Sequence, residues 1–140
     1  MNEIKVAPDL ILLYADMTKT EIALHMAIRS MAEHGKLKRN MWRVSQILGK
    51  CRRRLYDAEF RLKQRQLLYI HYQRHGTRDV PYWHVYERPV GTEARPVAVI
   101  VKTDEGVKDE LKPKSIWRKL RAAIVGTELE NFDLVEGRDS

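Results

Sequence analysis

Three consecutive arginines, Arg52, Arg53 and Arg54, follow Gly49-Lys50-Cys51 and lead into Tyr56 and Asp57. A guanidinium is planar and presents its donors as a fork. It can pair through two hydrogen bonds with O6 and N7 of a guanine, or clamp a phosphate. An aspartate can accept from N4 of a cytosine. At about 100° per residue in a helix, these side chains do not all point one way. With Leu55 taken as the inward residue, Arg53, Asp57, Phe60 and Gln64 lie opposite, flanked by Tyr56 and Arg61. A helix laid in the major groove reads bases mostly from its N-terminal half. That selects Arg52, Arg53, Tyr56 and Asp57 as candidate base contacts. Arg54 and Arg61 point sideways, toward phosphates, and Gln64 lies further along, within reach of the backbone.

The charge distribution supports a polyanionic ligand. The chain has 140 residues and a formal net charge of +7. Residues 1–35 hold three basic and five acidic residues, residues 36–95 fifteen and five, and residues 96–140 eight and nine. The middle of the chain therefore carries the whole excess, and a focused basic surface attracts nucleic acid. Lys36, Lys38, Arg39, Arg43 and Lys50 precede the arginine cluster, and Arg74 and Arg78 follow it. All seven are candidate phosphate contacts.

These side chains need elements to hold them. Pro8 opens a short apolar segment as the first turn of a small helix. Thr18 and Glu21 form a capping box, and Ile22, Ala23, Met26, Ala27 and Met31 recur at helical spacing, predicting a helix over 19–32. Asn40 caps a second helix with the stripe Met41, Val44, Ile47 and Leu48, stopped by Gly49. A third helix runs from near Cys51 to Gln64 on the stripe Cys51, Leu55, Ala58 and Leu62. The period then changes. "LLYIHYQR" and "VPYWHVYE", separated by "HGTRD", read as a β-hairpin, with Leu68, Ile70 and Tyr72 on one face and Tyr69, His71 and Gln73 on the other. "PVAVIVKT" reads as a further strand. Ser115 caps a last helix with Trp117, Leu120 and Ile124 along one face, and residues 126–140 read as a loose acidic tail.

Helix, helix, glycine-containing turn, helix, hairpin is the element order of a winged helix-turn-helix, with Leu48-Gly49-Lys50-Cys51 as the turn. Ser45 is small where the two helices must approach. At this level "VSQILGKCRRRLYDAEFRLKQRQLL" resembles the winged helix-turn-helix domains of phage and plasmid replication proteins and related regulators. "VAPDLILLYADMTKTEIALHMAIRSM" is similar to the segment in which that family leads from a proline into a first helix opened by a Thr-x-x-Glu box. The resemblance covers residues 6 to 88. It implies duplex DNA binding, with the helix that begins near Arg52 as the recognition helix. One position departs: the family carries glycine between recognition helix and wing, where this chain has Gln66.

The expected fold class is thus α+β: a three-helix core plus β-hairpin wing over 1–88, a strand-and-helix extension over 89–125 and the tail. The expected function is sequence-specific binding of double-stranded DNA, in replication initiation or transcriptional regulation of a phage, plasmid or mobile element. Two alternatives stand beside it. The same face could dock a replication or transcription protein, or the hairpin aromatics Tyr69, Tyr72, Tyr82, Trp83 and Tyr86 could stack a single strand instead of packing on one another. The C-terminal apolar stripe either extends the core or joins a homodimer. No P-loop, G-x-S-x-G or G-x-G-x-x-G occurs, so no enzyme and no cofactor are expected. His71, His75 and His84 lack the spacing of a zinc site, and no metal is expected. The lone Cys51 fits the core stripe better than a redox sensor, and a reducing, cytoplasmic setting suits one cysteine. No apolar run reaches membrane-spanning length, so no membrane partner is expected.

Overall fold

The computed structural model describes residues 3–88 and 113–137. It is a mixed α+β structure. In chain order the elements are β1 (Glu3–Val6), α1 (Pro8–Ala15), α2 (Lys19–Met31), β2 (Lys36–Lys38), α3 (Met41–Leu48), α4 (Arg52–Gln64), β3 (Leu68–His75), β4 (Arg78–Val85), α5 (Pro113–Ile124), a 3₁₀ turn (Glu128–Asn131) and β5 (Asp133–Glu136). The predicted strand at "PVAVIVKT" lies outside the described residues.

α2 is the central helix. Thr18 Oγ1 accepts from the Glu21 amide and Glu21 Oε2 accepts from the Thr18 amide, so the capping box is complete. Every side chain from Glu21 to Ile28 is buried, because α1, α3, α4 and α5 surround the helix. His25, in that run, has no solvent exposure. Its Nδ1 lies 2.6 Å from the Tyr14 hydroxyl and its Nε2 lies 2.8 Å from the Tyr86 carbonyl oxygen. A carbonyl can only accept, so Nε2 carries the proton and Nδ1 accepts from Tyr14. Burial, reinforced by the Arg29 charge, pushes the His25 pKa down to about 3.

α3 and α4 follow the sequence expectation closely. Asn40 Oδ1 accepts from the Arg43 amide, and Gly49 ends α3 at φ +63°. Met41, Val44, Ile47 and Leu48 are buried. α4 buries Leu55, Ala58, Glu59 and Leu62. Cys51 departs from its predicted place in that stripe. It precedes the first helical turn in an extended conformation, so its side chain leaves the helical phase and is exposed.

α4 ends in a Schellman motif, in which the Gln66 amide donates to the Lys63 carbonyl and the Leu67 amide to the Leu62 carbonyl. Gln66 takes the left-handed position at φ +63°, where glycine is the ordinary occupant. Its Oε1 is also buried without a hydrogen-bond partner among the described residues.

Three strands form one antiparallel sheet in the order β2-β4-β3. "KLKRN", just ahead of α3, contributes β2, a strand the sequence did not lead one to expect, whose Leu37 pairs with Trp83. The strand is started by His34 and Gly35, both at positive φ, and Glu33 and Lys36 close that turn by reciprocal amide–carbonyl bonds.

The C-terminal segment is more ordered than its composition suggests. Ile116, Leu120, Ala123 and Ile124 of α5 are buried in the same core as α1 and α2, and Lys119 Nζ donates to the Ala15 carbonyl at 2.6 Å. The apolar stripe thus extends the core. Beyond it, the predicted loose tail is replaced by the 3₁₀ turn, capped by Thr127, and by β5. β5 pairs in parallel with β1, which the sequence reading also missed, placing Leu134 opposite Ile4. Burial of Leu129 and Leu134 holds the segment down.

Two predictions follow from these environments. The folded pKa of His25 lies below the ordinary 6.5, so the unfolded chain binds the extra proton first as pH falls. The His25 contribution is complete above about pH 6.5 and declines toward pH 3. Between pH 7 and pH 5 this group alone removes about 2 kcal/mol, to be read as a lower urea midpoint. His25→Gln should flatten that part of the pH profile. Separately, Gln66→Gly should raise stability by about 1 kcal/mol, by relieving the left-handed backbone, with the urea m value unchanged.

Candidate nucleic-acid interface

The site is organised around the inward side of α4. Glu59 occupies a buried position one turn after Leu55. Arg39, from the strand-to-helix connection before α3, donates to it through Nε at 2.7 Å and Nη2 at 3.0 Å. Trp83 of β4, itself fully buried, donates through Nε1 to the same carboxylate at 2.7 Å. α4 is thereby tied to the sheet and to the start of α3 at one point. The Glu59 carboxylate holds the Arg39 guanidinium above its ordinary pKa.

With Glu59 and Leu55 facing inward, Arg52, Arg53, Tyr56 and Asp57 all face solvent. The structure brings these four base-contact candidates onto one exposed face. Phe60 lies on that face too and is 60% exposed, so the helix phase taken from Leu55 is correct. The Arg39 guanidinium lies 5.5 Å from the Tyr56 ring, which limits how far that tyrosine can swing.

The first turn of α4 is electrostatically unusual. It contains no acidic residue, and Cys51 supplies no side-chain cap. A helix N-terminus carries partial positive charge and orphan amides, and three cations there oppose the macrodipole. Arg52, Arg53 and Arg54 are exposed and have no ion pair among the described residues. An anion at this position would relieve both the charge and the unpaired amides.

The phosphate candidates do not form one surface. Arg43 and Arg54 are exposed on α3 and α4, Lys50 is half-buried in the turn between them, and Gln64 is exposed at the end of α4. Arg74, at the far end of β3, is on the same side of the sheet as Leu68 and Ile70, the side that packs on the helices. Arg39 is a correction: its guanidinium is committed to Glu59, so its role is internal. Arg61 is partly committed as well, with Nη1 3.8 Å from the buried Glu21 carboxylate of α2, which Arg65 also approaches at 3.7 Å. Lys36, Lys38 and Arg78 pair across the strands with His84, Tyr82 and His75. They therefore occupy the opposite, outer side of the sheet.

Trp42 and Glu59 escaped the sequence reading, and Tyr72 departs from the packing expected of it. Trp42, in the first turn of α3, is 59% exposed. Its signal was an aromatic residue out of phase with Met41, Val44 and Ile47. Tyr72, expected in the hairpin packing, is 63% exposed on the helix side of the sheet and acts electrostatically on Arg39. Glu59 had the clearest signal, a carboxylate inside an apolar helical stripe, which requires a buried partner.

Comparison of the chain with protein-family models, with curated proteins and with solved structures finds no match in any of the three. Among the described residues no helix is long and apolar enough to cross a membrane.

The charge reversal at the head of α4 has a measurable consequence. Arg53→Glu places an acid in the first turn, where the helix dipole favours it. The variant should melt at a higher temperature than the parent protein while losing affinity for polyanions. Differential scanning calorimetry beside a heparin-retention assay reads both effects.

Proposed function

We propose that the protein binds double-stranded DNA, with α4 as the recognition helix of a winged helix-turn-helix. The observation that carries this reading is the uncapped first turn of α4, where Arg52, Arg53 and Arg54 project to solvent without acidic partners. Such an arrangement lowers the stability of the free helix and improves only when an anion arrives. The order helix, strand, helix, helix, hairpin supports the fold reading, and so does the turn through Gly49. In this reading Arg52, Arg53, Tyr56 and Asp57 face base edges. Arg43, Lys50, Arg54 and Gln64 meet the phosphates that flank the groove, and Arg74 extends the contact along the hairpin. Phe60 is placed to meet a thymine methyl. Mechanism here means binding: phosphate contacts position the helix, and a few side chains select sequence. The resemblance noted in the sequence supports replication initiation or transcriptional control in a phage, plasmid or other mobile element as the setting.

A second reading draws on the exposure of Trp42 and Phe60. Exposed aromatics and arginines also suit a protein partner, since these residue types are enriched at interface centres.

Salt separates the two. Selection from a random duplex pool should yield a preferred sequence, and its affinity should fall steeply with salt, by about 0.9 in the logarithmic slope for each phosphate contacted. Arg53→Ala should cost about 1–3 kcal/mol on the selected site and relax specificity at a single position. Arg54→Ala should weaken all sequences alike and reduce the salt slope by about 0.9. Absence of duplex binding at about 50 mM salt, a concentration that favours phosphate contacts, would remove this proposal.

A further inference from the structure

The side of the sheet that faces away from α4 has an organisation of its own. Strand alternation places Lys36 and Lys38 of β2, Tyr82 and His84 of β4, and Tyr69 and His71 of β3 on this one surface. Register aligns them into two rows. Lys36, His84 and Tyr69 lie side by side across the three strands, and Lys38, Tyr82 and His71 form the next row. Each row thus reads cation, ring, ring. None of the six is buried, and Tyr69, His71 and Lys38 are exposed.

The rings are also organised between rows. His71 and His84 meet edge to face at 5.5 Å, and Tyr69 meets Tyr86 in the same way at 5.8 Å. Lys36 Nζ lies 4.5 Å from the centre of the Tyr82 ring and donates to Gln73 at 2.8 Å. The positions on this face of β2, β3 and β4 include no carboxylate, and Arg78 adds a third cation near the hairpin tip. A solvated sheet face normally mixes charges of both signs, so this composition is selective.

We infer that this outer sheet face is a second nucleic-acid site, separate from α4, that takes an unpaired strand. The charge calls for a polyanion and the interleaved rings call for planar partners. Stacking needs the π-faces of bases, and a duplex hides them. Successive rows stand two strand residues apart, about 6.8 Å. That is twice the 3.4 Å rise of each strand in a duplex, so stacked neighbouring bases cannot match the rows and splayed bases can. An extended strand can lie across the three strands of this face. DNA and RNA offer the same bases and phosphates here, so both belong to the inferred ligand class.

The test uses the full chain with labelled oligo(dT) and oligo(U) of about a dozen nucleotides in fluorescence anisotropy at low salt. Binding of either oligonucleotide is expected, and the preferred one identifies the strand type. The Tyr69→Ala/His71→Ala variant changes two exposed side chains, and circular dichroism checks that its fold is retained. It should bind the single strand about tenfold more weakly with its duplex affinity unchanged. Arg53→Ala should do the reverse. Absence of duplex binding by the wild-type chain, with its single-strand binding present, would remove the α4 proposal and leave this one standing. Three results would overturn the inference: no binding of either oligonucleotide, wild-type single-strand affinity in the double variant, or an equal loss of single-strand binding in Arg53→Ala. Displacement of the strand by polyglutamate as readily as by unlabelled oligonucleotide would overturn it too, since charge alone would then suffice.

Discussion

The Glu59 carboxylate is the point on which the orientation of α4 depends. It is buried, yet it accepts three hydrogen bonds, two from Arg39 and one from Trp83. A buried carboxylate with these partners is tolerable, and without them it is costly. The donors come from two separate places, Arg39 in the connection before α3 and Trp83 on β4, so they leave α4 little freedom to rotate about its own axis. Rotation by one residue would carry Glu59 away from Trp83 and leave an indole N–H without an acceptor, at a cost of about 1–3 kcal/mol. Apolar packing of Leu55, Ala58 and Leu62 alone is less directional. The polar contact therefore sets which residues of α4 face outward.

That orientation gives the arginine cluster its meaning. Arg52 to Arg54 occupy the end of a helix where cations are least welcome. Stability selects for the opposite arrangement, as the Thr18–Glu21 box at the head of α2 illustrates within the same chain. One helix start is optimised for folding and the other is left open. The contrast between the two, more than the count of arginines, is what the proposed role of α4 rests on.

Much of this architecture was legible in the sequence, and the failures share physical causes. α2, α3 and α4 were readable because each carries an apolar stripe of several turns with a recognisable start or stop, and the hairpin was readable from its change of period around Gly76. Three short strands were not. Glu3–Val6, Lys36–Lys38 and Asp133–Glu136 each have only one or two inward residues, too few to establish a period of two. They exist because a partner strand is present, which is a tertiary fact. Cys51 was misplaced because helical phase was carried one residue past the helix. Among the candidate site residues, the exposure of those on α4 followed from phase alone. Lys36, Lys38 and Arg78 could not be, since their side of the sheet follows from register with a strand that had not been expected, or from hairpin pairing.

The parallel pairing of β1 with β5 has a consequence for how the chain is made. Glu3 pairs with Asp133, so 130 positions separate the partners. During synthesis β1 precedes its only strand partner among the described residues by those 130 positions. At about 5–20 residues per second the wait is roughly 6 to 26 seconds. α5, which covers α1 and α2, also arrives late. The helix and hairpin unit around Glu59 is complete by residue 88, well before either. The nascent chain therefore passes through a stage in which α4 and its arginines have been made while the apolar sides of α1 and α2 still await the cover that α5 gives them.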